Sequence, residues 1–208
     1  MNPIEYKPKA AGEFIGEARA MAKLLAGVCK RSMPKGTPVK LFIQGEPGIG
    51  KSALMDLVQE QLGGAQWNVS KFNGTKLRME DVDRYEERLC FRELGGGFRI
   101  LRLEEVDRAH HLVLTRLLTI LDDLPPFNAI LCTSNKKVED LEPRFQSRFQ
   151  VFQLRPPAAP EIDKLLQKFP VRADDRKRIA NFCCGNVRLA LFDAQSAIDE
   201  LAAVGRAA

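Results

Sequence analysis

Eight consecutive residues, Gly45-Glu46-Pro47-Gly48-Ile49-Gly50-Lys51-Ser52, satisfy the pattern G-x-x-x-x-G-K-[ST] in full. Glycines at these positions let a loop wrap so that its backbone N–H groups face inward and cradle phosphate oxygens. A helix opening behind the loop adds its positive end. Lys51 supplies a point charge for the β- and γ-phosphates, and the Ser52 hydroxyl suits Mg²⁺. A second chemical group lies 53 positions after Lys51, where Phe98-Arg99-Ile100-Leu101-Arg102-Leu103 runs into Glu104-Glu105. A carboxylate at a strand end can hold Mg²⁺, so Glu104 is assigned to the metal. The next one, Glu105, can polarise an attacking water. Two adjacent acids can also be no more than an acid-rich helix start. The loop in front of them favours an NTP site.

These groups need strands to carry them. Short apolar runs at 39–44, 67–72, 98–103, 129–133 and 151–154 read as strands. Between them, apolar residues at three- and four-residue spacing predict helices over 17–31, 51–62, 79–93 and 110–121. Strands alternating with helices predict an α/β fold with a parallel five-stranded sheet flanked by helices. After the Pro-rich stretch 155–160 the pattern becomes wholly helical, over 161–169, 174–183 and 187–203. The expected organisation is an α/β nucleotide-binding domain over 1–155 and a small all-α lid over 156–208.

The chain resembles the AAA+ ATPases, and within them the clamp-loader group. Tyr6-Lys7-Pro8-Lys9 with Phe14-Ile15-Gly16 is similar to the family's N-terminal box, which implies that Tyr6 and Pro8 pack on the adenine. Leu103-Glu104-Glu105-Val106-Asp107 resembles the family's L-D-E-A-D, with Glu104 where Asp is usual. Thr133-Ser134-Asn135 falls where the family carries its first sensor, so Asn135 would touch the attacking water or the γ-phosphate. Without the resemblance it is simply a good turn residue. Arg148, in Pro143-Arg144-Phe145-Gln146-Ser147-Arg148-Phe149, matches the arginine that enters a neighbouring subunit's site, with Arg144 as the second candidate. A surface arginine paired to a local acid is the plain alternative. Gly185-Asn186-Val187-Arg188-Leu189-Ala190-Leu191 resembles the second sensor, which implies that Arg188 reaches the γ-phosphate from the lid. The resemblance implies ATP and Mg²⁺ as ligands and other AAA+ subunits as partners. It also implies DNA, and a sliding clamp or helicase as a further partner. Clamp loaders continue into a helical collar, and no residues remain here for one.

Composition narrows the classes. With 208 residues, 45% hydrophobic and 28% charged, the chain is too apolar for disorder and too polar for a membrane protein. No apolar run reaches the roughly 18 residues of a membrane span, and no signal peptide is expected. Five cysteines without a C-x-x-C pair predict a reduced, cytoplasmic protein without a disulfide or zinc framework. The net charge of +5 resides in residues 1–40, where eight basic side chains face three acidic ones. That surplus fits either a nucleic-acid footprint or a solvated surface. Arg84, Arg88 and Arg92 share one helix face among several acids, so a phosphate-tracking stripe and intrahelical pairing are both open. His110 and His111 read as residues opening a helix. The expected function is an ATPase of clamp-loader type in DNA replication or repair. The alternative is a nucleotide-gated loader, a transposition helper or an accessory repair factor, in which ATP binding is the working signal.

Overall fold

A computed structural model describes residues 2–63, 66–89, 96–141 and 143–207. Five strands, β1 (Val39–Gln44), β2 (Val69–Asn73), β3 (Arg99–Glu104), β4 (Asn128–Ser134) and β5 (Gln150–Gln153), form one parallel sheet in the order β2-β3-β4-β1-β5. The central strands are the most apolar because both faces are covered. Every residue of β4 is buried, and in β1 only Lys40 is partly exposed.

One face packs on α1 (Gly16–Ser32) and α2 (Lys51–Gln61) through Met21, Leu25, Leu54, Met55 and Val58. The other packs on α3 (Met79–Arg88) and α4 (His111–Asp122) through Val82, Tyr85, Leu117 and Leu121. A short helix, α5 (Pro143–Gln146), precedes β5. Then α6 (Ala159–Leu166), α7 (Ala173–Phe182) and α8 (Val187–Ala207) enclose a core of their own around Ile162, Leu166, Phe169 and Ile179. Tyr6 and Ile15, from before α1, pack against that core. No described helix is long and apolar enough to cross a membrane.

The strands and helices fall where the hydrophobic patterns place them, with instructive shifts. The strand expected at 67–72 begins at Val69, because Gln66–Asn68 forms a 3-10 turn and leaves Trp67 77% exposed. The helix expected over 79–93 is described to Arg88, and residues 90–93, Arg92 among them, lie outside the described residues. Among the acids of α3, Asp83 and Glu86 pair with Arg116 of α4, while Arg84 stands 3.9 Å from Asp81. Arg84 and Arg88 thus sit on a helix whose acids tie it to its neighbour. His110 caps α4, its Nδ1 accepting from the Leu112 amide at 3.3 Å. Free thiols are buried at Cys29, Cys132 and Cys183 and exposed at Cys184.

The register brings one residue type after another to the same edge. Gln44 pairs with Ser134, and Asn73 with Glu104, so all four lie at the carboxyl ends of their strands. In open parallel sheets ligands bind at that edge, where the strand order reverses.

Candidate functional site

A cleft of about 710 Å³ opens at that edge and reaches α8, lined by the Gly-rich loop, the strand ends and the segment before α1. Such a volume accommodates a nucleotide. Its floor is the loop between β1 and α2. Gly50 takes a left-handed conformation (φ +104°) at the start of α2, and Gly50, Lys51 and Ser52 all line the cleft, so the helix's N-terminal end borders it. Gly48, also left-handed (φ +79°), lies so close to Asn186 that a Cβ there would collide with its side-chain amide. The Gly48 carbonyl accepts from the Arg188 amide at 3.1 Å, so the loop is fastened to the start of α8. Gly48→Ala should therefore cost about 1–3 kcal/mol in strain and lost docking. Thermal unfolding with and without ADP checks this. An unchanged midpoint together with unchanged ADP stabilisation would show that the loop and α8 are not coupled here.

The Lys51 ammonium donates to the Gly45 and Glu46 carbonyls at 2.6 and 2.7 Å and to Asn135 Oδ1 at 2.9 Å. Lys51 and Asn135, 84 residues apart in sequence, thus meet at one point. Burial pulls the Lys51 pKa down to about 8, against the opposing pull of Asp107 and Glu105, while Arg188 adds to the lowering. Asn135 is itself placed by its amide, which donates to Asp107 Oδ1 at 3.0 Å.

Glu105 has a left-handed backbone (φ 52°, ψ 47°), unusual for a residue with a side chain, at the end of β3. Its amide donates to Thr133 Oγ1 at 3.3 Å, its carbonyl accepts from the Arg108 amide at 2.9 Å, and Gly74 leaves no room for a Cβ beside it. These contacts over-determine a strained residue, as is common at reactive positions. Its carboxylate accepts from Asn73 Nδ2 at 3.4 Å and lies 3.4 Å from Arg108. Asn73 has no signal in the sequence, because only the strand register places it beside Glu105, while Thr133 and Asp107 stand inside recognised motifs but without a role there.

Glu104 and Ser52 line the same cleft. Their hydroxyl and carboxylate oxygens are the hard donors that Mg²⁺ takes, and the residues fit the ion. Burial raises the Glu104 pKa, but hydrogen bonds and charge from Arg102 and Lys71 outweigh it and hold the carboxyl below its ordinary value. It is therefore ionised at neutral pH. Among the described residues no cluster of three His, Cys, Asp or Glu side chains forms a separate metal site.

Tyr6, Pro8 and Ile49 line the cleft as well. Tyr6 meets Phe169 edge-on at 5.7 Å, and its hydroxyl accepts from Lys168 at 2.8 Å. Arg188 lines the cleft from α8. Arg148 does not line it. It lies after α5, where Nε and Nη2 donate to Asp122 at 2.7 and 2.9 Å and Nη1 donates to the Arg144 carbonyl at 3.1 Å.

Comparison with known proteins agrees with this fold. A 60-residue stretch is 38% identical to the Holliday junction branch migration complex subunit RuvB of Mycolicibacterium smegmatis. That match spans 27% of this chain and only 16% of that protein. Among solved structures, the Thermotoga maritima RuvB Holliday junction branch migration motor superposes with a TM-score of 0.76 at 21% identity. That superposition covers 96% of this chain and 67% of that one. A single-substitution variant of the same protein gives 0.77 at 20% identity, with the same coverage. Residues 41–157, more than half the chain, match the ATPase family associated with various cellular activities. The chain belongs to the AAA family of ATPases.

Proposed function

We propose that this chain is the ATP-driven module of an assembly of like subunits that works on DNA in repair or recombination. As an AAA ATPase it hydrolyses ATP and uses Mg²⁺. The observation that carries the assembly is the position of Arg148. The cleft holds the loop, the acids and Asn135, while this arginine lies outside its lining, paired with Asp122, where it can serve a neighbour. The proposed units are a nucleotide-binding domain over 1–155 and a lid over 156–208. ATP bridges them through Tyr6, the loop residues 45–52 and Arg188.

In the proposed mechanism, the loop amides and Lys51 take the phosphates that displace the Gly45 and Glu46 carbonyls from the ammonium. Mg²⁺ held by Ser52 and Glu104 supplies charge neutralisation. Glu105 accepts the proton of the attacking water while Asn135 orients that water, and Arg148 of the next subunit stabilises the charge that develops. DNA as a partner rests on the short RuvB match and on the basic first 40 residues. The clamp-loader reading, with a sliding clamp or helicase as partner, is the narrower form of the same proposal and rests on sequence motifs alone. A second reading, in which ATP binding rather than turnover is the signal, is favoured by the two cations already paired with Glu104.

Turnover should be measured without DNA, with linear duplex and with a four-way junction, alongside mass in ADP and in a non-hydrolysable ATP analogue. Several-fold stimulation by DNA with nucleotide-dependent growth in mass is the expected result. Assembly on the ATP analogue without DNA-stimulated turnover would select the second reading. A monomer whose turnover ignores DNA would end both.

A further inference from the structure

Arg102 is the largest fully buried side chain among the described residues, at 2% exposure in the middle of β3. A desolvated guanidinium is costly unless its partners repay the cost. Its partners are specific. One Nη2 donates to the Ser52 carbonyl at 3.1 Å and to Glu104 Oε1 at 2.7 Å, while Nη1 pairs with Asp56 and donates to Gln59 at 3.4 Å. Lys71 of β2 adds a second cation, its Nζ 3.2 Å from the same Glu104 oxygen.

The guanidinium therefore ties together Ser52 and Glu104, the two residues that fit Mg²⁺. Two carboxylates, Asp56 and Glu104, are balanced by two protein cations, Arg102 and Lys71. At Asp56 and Glu104, approaching phosphates meet carboxylates already compensated by protein cations, whether or not a divalent ion accompanies them. A strand-end carboxylate without such partners would repel them until a metal bridged the two.

We propose that Arg102, with Lys71, is a built-in cationic clamp on Glu104 that makes nucleotide binding largely independent of Mg²⁺. Arg102 is a positioning residue: it acts on the nucleotide through Glu104 and the first turn of α2. This rests on the nucleotide-site reading given above.

Binding of a fluorescent ADP to the full chain, in Mg²⁺ and in EDTA, tests it. The wild-type dissociation constant should change by less than about threefold on metal removal. In Lys71→Ala and Arg102→Leu it should rise about tenfold or more in EDTA and recover in Mg²⁺, the worth of one charged hydrogen bond. Arg102→Lys should fall between them, since an ammonium keeps the charge but loses the planar fork. Lys71 is half exposed on its strand, so its variant decides the matter even where a buried Arg102 substitution prevents folding. A wild type that loses tenfold in EDTA would overturn the proposal, as would variants that respond to Mg²⁺ as the wild type does. Failure to bind ADP in either buffer would instead defeat the nucleotide-site reading, and the clamp with it.

Discussion

Arg148→Ala should lower ATP turnover of the assembled protein by roughly 10³-fold, the low end of what an arginine supplied to a transferring phosphoryl group is worth. Nucleotide affinity of the isolated chain should stay unchanged, because Arg148 is absent from its own cleft. The planar fork that holds both oxygens of Asp122 is the geometry that would hold two phosphate oxygens. Asp122 is half exposed, so little stability is lost when the arginine exchanges one anion for another. Trans action has its own signature. Arg148→Ala supplies an intact cleft and Lys51→Ala supplies an intact Arg148, so mixing the two should recover measurable turnover at hybrid interfaces. If both variants assemble and the mixture stays inactive, Arg148 is not donated across an interface. A loss of melting temperature without a loss of turnover would mark it as a brace between α4 and β5.

How much of this site could be read from the sequence follows from what each part depends on. The loop Gly45–Ser52 is contiguous, so its chemistry is written in one stretch, and the strand before it is announced by the short apolar run Leu41-Phe42-Ile43. Lys51 and Glu105 follow from it by type and spacing alone. Asn73 does not, since a hydrogen bond from β2 to the end of β3 depends on a register that no local pattern encodes. Arg102 shows the opposite failure. A charged residue inside an apolar run looks like an interruption, yet the strand continues through it because Asp56 and Gln59 lie one helix away on α2. Trp67 misleads by propensity. An aromatic two positions before a β-branched residue suggests a strand, but the chain is still turning there and the ring is left in solvent. The fastening of the loop to α8 through Gly48 and Asn186 is equally invisible, because it joins segments whose neighbouring helices pack into separate cores.

Glu105→Gln should cut turnover by about 10²–10⁴-fold, the range for removing a positioned general base. ADP affinity should move by no more than about threefold, because the proposed phosphate grip lies in the loop and Lys51 rather than in this carboxylate. The amide keeps the size of the side chain and can still face Asn73, while the pairing with Arg108 is weakened at an exposed position where it contributes little. The backbone strain at Glu105 is unaltered, since it is held by Thr133, Arg108 and the absence of a Cβ at Gly74 rather than by the carboxylate. Binding and chemistry therefore separate cleanly in this variant. Assemblies formed on ATP should persist far longer than in the wild type, which mass measurement over time can follow. A variant that turns over ATP at the wild-type rate would move the base elsewhere, and Asp107, which accepts from the Asn135 amide, would then be the next carboxylate to substitute. A variant that loses ADP affinity in step with turnover would instead make Glu105 part of the phosphate grip, and the division of labour between the loop and the strand end would have to be redrawn.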